Sequence, residues 1–337
     1  MEPILKSISK VGIVVSNAME TVETYYKKYG MGPWNVWDIN ADKLMEIAHS
    51  EETKSYNYRI AQTYIGSTLW ELIEPKDKKS IFYNFLKKNG EGLYNLGYNV
   101  KNYDKAIDSI NKVKIKLKYG GNWFGKRFTY LDTYNDLKHI AEIYSFEEGF
   151  KLPKPLYVYP DNNENNKDIK PIFNSVRQIG IAVLDIRKVA KTYYDKYGIG
   201  PWRFYKYFYP KSKDMYYNEE ELFTQKFTTA ATMIGEVEQE LMEPGDDYNV
   251  YSEFIIFHGE GLQHISFNYN LGFNESVEFH KKLGHKIKQR GSINGALYVY
   301  IDSMKDLKVI SEPLYVPPDF IMPKSDYRYP DNEPLKI

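Results

Sequence analysis

The chain contains no cysteine in its 337 residues, so it has no disulfide, no thiolate metal ligand and no cysteine nucleophile. Any metal site must therefore use nitrogen and oxygen ligands. An excess of charge is also lacking, since 45 Lys and Arg residues balance 45 Asp and Glu residues. Without a net positive field, we expect neither a nucleic acid nor an anionic membrane as a partner.

Long apolar runs are missing as well. The first ten residues lack the apolar core of a signal peptide, and no run approaches the length needed to span a bilayer. We therefore expect a soluble, cytoplasmic protein.

What the chain does contain is a duplication. The sequence YYKKYGMGPW at residues 25–34 returns as YYDKYGIGPW at residues 193–202. The offset between the copies is 168 residues at Lys10 and Gln178, and 170 at Glu142 and Glu312. A duplication accounts for a register that is kept over this length.

The repeat predicts a domain organisation. We expect one domain at 1–150, a linker at 151–174, a second domain at 175–320 and a Pro-rich tail at 321–337. Within each copy a weaker half repeat begins at Gly-Glu-Gly-Leu, at residues 90–93 and 259–262. The chain then consists of four modules.

Each module opens with a strand whose alternate residues are apolar, as in Val11, Ile13 and Val15. A helix follows, most clearly where Asp185 can cap its start and Gly198 its end. Strand-like segments come next, so that the order is strand, helix and about three strands. This order predicts an α+β fold.

The second face of each opening strand combines a polar and a small residue, which is unusual for a surface or for a core. A small residue beside a polar one leaves room for something to bind. The pairs are Lys10 and Gly12, Asn95 and Gly97, Gln178 and Gly180, and His264 and Ser266.

On these features the sequence resembles the vicinal oxygen chelate superfamily, which includes glyoxalase I, methylmalonyl-CoA epimerase, extradiol dioxygenases and bleomycin-resistance proteins. The resemblance rests on the opening strands, the Gly-x-Gly-Pro-Trp turns, the two Gly-Glu-Gly-Leu segments and the strands that end at Pro75 and Pro244. It implies four βαβββ modules, paired into two glyoxalase-like domains with curved mixed sheets around a cavity. In that family each module contributes one ligand from its first strand and one from its last.

Carried onto the second copy, the resemblance implies the ligands Gln178, Glu240, His264 and Glu312. An amide oxygen, an imidazole and two carboxylates suit one divalent ion, such as Zn, Ni, Co, Mn or Fe, and leave two positions of an octahedron open. The order Gln, Glu, His, Glu resembles that of a glyoxalase I from higher organisms.

The equivalent positions of the first copy are Lys10, Glu71, Asn95 and Glu142. A protonated lysine cannot bind a metal ion, so we predict a degenerate, metal-free first cavity. We expect the Lys10 ammonium to replace the metal as the counter-charge of the two glutamates.

The implied function is proton transfer next to a metal-chelated carbonyl of a small substrate with vicinal oxygens, by an isomerase, an epimerase or a lyase. Glu240 and Glu312 are the expected acid and base. One alternative is an iron(II) extradiol-type dioxygenase, and another is a non-catalytic small-molecule binder of the drug-resistance type. Four modules complete both cavities within one chain and leave the oligomeric state open, a homodimer included.

Overall fold

The polypeptide forms two mixed β-sheets, one from each copy of the repeat. The computed structural model describes residues 3–40, 44, 56–161, 169–208, 212–222, 226–246 and 248–330. None of the helices in this part of the chain combines the length and the apolar character that a membrane crossing requires.

The first sheet runs in the order β6-β7-β8-β5-β1-β4-β3-β2-β9. Its strands are Ile8–Val14 (β1), Trp34–Ile39 (β2), Tyr58–Ile65 (β3), Thr68–Pro75 (β4), Gly92–Asn99 (β5), Leu117–Trp123 (β6), Lys126–Leu131 (β7), Ile140–Phe146 (β8) and Tyr157–Tyr159 (β9). The helices of this copy are Ala18–Tyr29 (α1), Ile81–Asn89 (α2), Tyr103–Lys112 (α3) and Tyr134–Leu137 (α4).

The second sheet runs in the order β13-β12-β17-β18-β19-β16-β10-β15-β14-β11-β21, with β20 paired to β18. Its strands are Phe173–Ala182 (β10), Trp202–Tyr207 (β11), Ser212–Tyr217 (β12), Glu220–Glu221 (β13), Phe227–Ile234 (β14), Val237–Pro244 (β15), Gly261–Tyr269 (β16), Lys286–Ile293 (β17), Ala296–Asp302 (β18), Ile310–Glu312 (β19), Leu314–Tyr315 (β20) and Tyr327–Tyr329 (β21). The helices of this copy are Ile186–Tyr197 (α5), Val250–His258 (α6), Phe273–Lys282 (α7) and Met304–Leu307 (α8).

These elements confirm the α+β fold and the predicted module order. β1, α1, β2, β3 and β4 form the first module, and β5, α3, β6, β7 and β8 form the second. The predicted helix ends are also confirmed. The Asp185 side chain accepts a hydrogen bond from the Lys188 amide, and Gly198 ends α5 in the left-handed conformation. Asn17 and Gly30 do the same for α1.

The first sheet is curled, because strands from both of its sides line one cavity. Tyr58 of β3 and Phe128 of β7 lie far apart in the strand order, yet both border the cavity that Lys10 of the central strand β1 also lines. We call the face that carries Lys10 the inner face. The outer face carries Val11 and Ile13, which are fully buried.

The outer faces of the two sheets share one hydrophobic core. This core joins Val11 and Ile13 of the first copy to Ile179 and Ile181 of the second. Polar contacts between the copies are reciprocal. Lys28 of the first copy pairs with Asp306 of the second at 2.6 Å, and Lys196 of the second copy pairs with Asp136 of the first at 2.5 Å. The two halves therefore pack with the same contacts in both directions.

The segments predicted as a linker and a tail add edge strands to the sheets. β9 pairs with β2, and β21 pairs with β11. The linker thus contributes a strand to the first sheet, and β10 begins within its predicted bounds. The domain boundaries stay a prediction.

Candidate functional site

The four predicted ligand positions lie on neighbouring strands at the centre of each sheet. In the first copy Gly12 of β1 pairs with Glu71 of β4 on one side and with Asn95 of β5 on the other. In the second copy Gly180 of β10 pairs in the same way with Glu240 and His264.

The last strand of each copy follows the same rule. Glu142 of β8 pairs with Gly97, and Glu312 of β19 pairs with Ser266. The strand register therefore places equivalent residues at equivalent points of the two inner faces.

The first copy shows that these positions converge. The Lys10 ammonium lies 2.7 Å from a carboxylate oxygen of Glu71 and also forms an ion pair with Glu142. The Asn95 amide donates to Glu142 at 3.0 Å. Lys10, Glu71 and Glu142, which we call the amino-terminal ion cluster, are all buried. The expected ion pairs of Lys10 with both glutamates are present, and its role in place of a metal ion stays a prediction.

Electrostatics in this cluster favour the charged forms. Burial lowers the pKa of Lys10, but the adjacent carboxylates of Glu142 and Glu71 outweigh it and hold the pKa above its usual value. Burial raises the pKa of Glu71, and the charges of Lys10 and Lys126 outweigh it in turn, so that this pKa lies below its usual value. The cluster is therefore a set of ion pairs rather than of neutral groups.

Lys126 is a second buried lysine beside the cluster. Its ammonium lies 5.3 Å from the centre of the Tyr144 ring and 6.0 Å from that of Phe128. Burial and the charge of Lys10 lower its pKa. With both lysines protonated, the two lysines balance Glu71 and Glu142. The remaining cavity measures about 20 Å³, which is space for about one water molecule.

In the second copy His264 and Glu312 come together. Nε2 of His264 lies 3.4 Å from Oε2 of Glu312, and both side chains are buried. Neither atom has a hydrogen-bond partner among the described residues. Nδ1 of His264 lies 2.6 Å from the Gln263 amide oxygen. An amide oxygen can only accept, so Nδ1 is the donor of this hydrogen bond, and Nε2 is the ring nitrogen that can offer a lone pair.

Two buried hydrogen-bond acceptors thus face each other, which is costly unless a proton or a cation lies between them. Two ligand atoms at about 2.1 Å from one metal ion are themselves roughly 3 to 3.5 Å apart. The His264 and Glu312 pair therefore fits a shared metal ion in separation, burial and donor chemistry.

Gly180 makes space for the His264 ring. A Cβ atom at this position would lie 1.9 Å from Cε1 of His264, and one at Gly12 would lie 2.0 Å from the Asn95 side-chain oxygen. From the sequence we expected these small residues to leave room for a bound group. In the structure, the polar side chain of the neighbouring strand occupies that room.

Glu240 and Gln178 lie on the same inner face. Glu240 is partly exposed, yet burial, together with the charges of Glu312 and Glu238, raises its pKa well above the usual range. It therefore lines a recess that still reaches solvent. Gln178 is buried on β10, two residues before Gly180.

The full predicted ligand set is not assembled in this arrangement. Within the described residues, no group of three or more histidine, cysteine or acidic side chains could hold a metal ion as it stands. The structure brings His264 and Glu312 together, and Gln178 and Glu240 as ligands stay a prediction.

Aromatic side chains surround the second inner face. Tyr217, Phe227, Tyr251, Tyr298 and Tyr300 belong to one buried cluster, and Tyr207 packs against it. Phe204 of β11, in contrast, lies in the core that the two copies share.

A larger cavity of about 710 Å³ lies between the two copies, where α2 and α6 border it. Its charged side chains are largely paired with one another, as in Lys308 with Glu91 and Lys138 with Glu260. None of the predicted ligands is among the described residues that line it, although Gln263 is.

Sequence reasoning missed three features of the two sites. Lys126 was not predicted as a site residue, because a lysine at the start of a strand is normally expected to be exposed to solvent. Gln263 was not singled out either, although it precedes His264 directly. The third feature is at the helix starts, where Glu74 and Glu243 accept hydrogen bonds from the first amides of α1 and α5.

Comparisons with known proteins agree with this architecture. The family model of the Glyoxalase/Bleomycin resistance protein/Dioxygenase superfamily matches residues 9–127 and 177–300, one segment in each copy. No curated protein matches the sequence.

Two solved structures illustrate the similarity. A variant of 4-hydroxymandelate synthase from Streptomyces coelicolor has a TM-score of 0.58 at 11% identity, over 93% of this chain and 92% of that one. Methylmalonyl-CoA epimerase from Mycobacterium tuberculosis has a TM-score of 0.34 at 18% identity, over 44% of this chain and 92% of that one. The first similarity covers both copies and shows the fold.

Proposed function

Since the chain belongs to the glyoxalase/bleomycin resistance/dioxygenase superfamily, we propose that its second copy is a metal-dependent enzyme of proton transfer. The substrate is a small molecule with vicinal oxygens, and the reaction is an isomerisation, an epimerisation or a lyase step. The first copy is a scaffold without a metal ion.

One observation carries this proposal. Nε2 of His264 and Oε2 of Glu312 face each other at 3.4 Å, buried and without a donor between them. A divalent cation satisfies both acceptors at once. The first copy provides the contrast, because there the Lys10 ammonium already neutralises the equivalent carboxylates.

The proposed roles follow from position. His264 and Glu312 hold the ion, and Gln178 and Glu240 complete its protein ligands from the neighbouring strands. Glu240 is the first candidate for proton transfer, because its side chain reaches solvent while that of Glu312 is buried. Glu312 is the second. A bound divalent ion would supply Lewis-acid stabilisation of the charge that develops when a carbon-bound proton leaves.

The aromatic surroundings favour a planar or apolar substrate body. Tyr207 and Tyr300 lie on the same inner face as Glu240, and burial, with a smaller contribution from the neighbouring glutamates, raises the pKa of both phenols. At neutral pH both are therefore neutral and can donate hydrogen bonds to substrate oxygens.

Proton exchange tests the proposal. We expect the metal-loaded protein to catalyse proton-deuterium exchange at the carbon next to the carbonyl of a 2-oxo acid, a 2-hydroxy acid or a thioester. Glu240→Gln should lower the exchange rate at least 100-fold while the ion is retained. Glu71→Gln, at the equivalent position of the first copy, serves as the matched control and should leave the rate unchanged.

Unchanged exchange in both Glu240→Gln and Glu312→Gln, with the ion still bound, would remove the acid-base assignment. Oxygen uptake with catechols by the iron-loaded protein would instead favour the dioxygenase alternative. We do not expect that outcome, because such dioxygenases use two histidines and one carboxylate, and the position of the second imidazole is held by the amide of Gln178. Tight binding of a small molecule that is indifferent to chelators would favour the non-catalytic alternative.

A further inference from the structure

Gln263 touches the imidazole of His264 from the side opposite Glu312. Its amide oxygen lies 2.6 Å from Nδ1, and its side chain is buried. No other side chain in the described residues hydrogen-bonds to this nitrogen. The tautomer of His264 therefore depends on one hydrogen bond, while Tyr300 packs against its ring with 4.9 Å between the ring centres.

A β-bulge makes this contact possible. Gly180 pairs with His264, but the next residue, Ile181, pairs with Leu262, so Gln263 is the extra residue of β16. Adjacent residues of a regular strand point to opposite faces, whereas a bulge re-aims one of them. Here it brings the Gln263 amide beside the ring of its own neighbour.

The first copy has the same bulge with different residues. Gly12 pairs with Asn95 and Ile13 pairs with Leu93, so Tyr94 is the extra residue there. The repeat thus places Tyr94 where the second copy has Gln263, and Asn95 where it has His264. The orienting amide is present in the copy that has the imidazole, and it is absent from the copy in which Lys10 fills the site.

We infer that Gln263 is a positioning residue that keeps the Nε2 lone pair of His264 directed toward Glu312 for metal binding. This inference rests on the proposed function. With the proton held on Nδ1, Nε2 cannot donate to Glu312 and remains available as a ligand. Without Gln263 the proton can move to Nε2, where it would form a hydrogen bond to Glu312 and close the site.

The test uses the full chain in two states. In the metal-free protein, imidazole ¹⁵N chemical shifts, assigned with His264→Ala, report the tautomer. We expect an Nδ1-protonated ring in the wild type and an Nε2-protonated ring in Gln263→Leu. In the second state, Zn²⁺ or Co²⁺ titration should show affinity roughly 10- to 100-fold weaker in Gln263→Leu.

Two further variants separate positioning from packing. Gln263→Glu keeps an oxygen acceptor, so it should show the wild-type tautomer of His264 and most of the wild-type metal affinity. Tyr94→Leu removes the equivalent bulge residue of the first copy and should change neither. Thermal unfolding of each variant shows that the comparison is made between folded proteins.

The outcomes are distinguishable. An Nε2-protonated His264 in the wild type, or the same tautomer and affinity in wild type and Gln263→Leu, would overturn the inference and leave the proposed function standing. A wild type that binds no divalent ion would refute the proposed function, while the tautomer of the metal-free ring would still decide the role of Gln263.

Discussion

Replacing Lys10 by methionine removes the only cation that contacts both glutamates of the amino-terminal ion cluster among the described residues. Glu71 and Glu142 would remain buried without their counter-charge. Breaking a buried ion pair in this way costs about 3 to 5 kcal/mol. Lys126 lies in the same cavity and compensates in part, so we expect about 3 kcal/mol. In a protein of 337 residues that corresponds to a fall in Tm of about 4 °C.

Urea unfolding and thermal unfolding measure this loss. A matched control is Gln178→Met at the equivalent position of the second copy, which breaks no ion pair and should cost less than about 1.5 kcal/mol. The double variant Lys10→Met with Glu71→Gln leaves Lys126 to balance Glu142, so at least half of the loss should be recovered. A single variant as stable as the wild type, or a double variant less stable than the single, would refute the counter-charge role.

Three further predictions concern pH, the glycine beside His264 and the contact between the copies. Because the pKa of Lys10 is raised in the folded protein, its contribution to the unfolding free energy is complete below the unfolded lysine pKa and is lost as pH rises through the folded value. Because the pKa of Glu71 is lowered, its contribution is complete above the unfolded glutamate pKa and is lost as pH falls through the folded value. The difference in unfolding free energy between wild type and the double variant should therefore be flat from about pH 5 to pH 10 and shrink on both sides, and a steady slope across neutral pH would contradict it. Gly180→Ala should displace the His264 ring, lower the unfolding free energy by about 1 to 3 kcal/mol and weaken metal binding at least 10-fold. Gly12→Ala should lower the unfolding free energy by a similar amount without changing metal binding, which calorimetric titration measures. Asp306→Asn should lower the unfolding free energy by about 1 to 3 kcal/mol, because the buried carboxylate accepts from an α1 lysine and from His285, and an unchanged Tm would speak against this contact.

The sequence was sufficient for the parts of the fold that repeat. Periodicity located the opening strands, and the caps Asp185 and Gly198 located the ends of α5, because both signals are local. The repeat then fixed which positions are equivalent, and the register of β1 and β10 follows it pair for pair.

What the sequence could not provide depends on tertiary structure. The edge strands β9 and β21 come from Pro-rich segments without periodicity, and they form only because β2 and β11 offer open edges. Lys126 is buried because the sheet curls β7 over β1, which no local pattern records. The bulge at Gln263 is a property of the pairing between β16 and β10, so its residue order alone did not predict it.

The same limit applies to the site. Four ligand-type residues at equivalent positions predicted a metal centre, and the structure brings His264 and Glu312 to 3.4 Å. The distance from Glu240 to that pair depends on side-chain orientation, which the spacing in the sequence does not determine. The number of metal ions that each chain binds is therefore the quantity to measure.

Metal quantitation on the purified full chain tests the central claim most directly. We predict one divalent ion per chain in the wild type, loss of that ion in His264→Ala and retention of it in Asn95→Ala, the equivalent substitution in the first copy. A wild type that binds no ion, a chain that binds two, or a His264→Ala variant that keeps its ion would contradict the account.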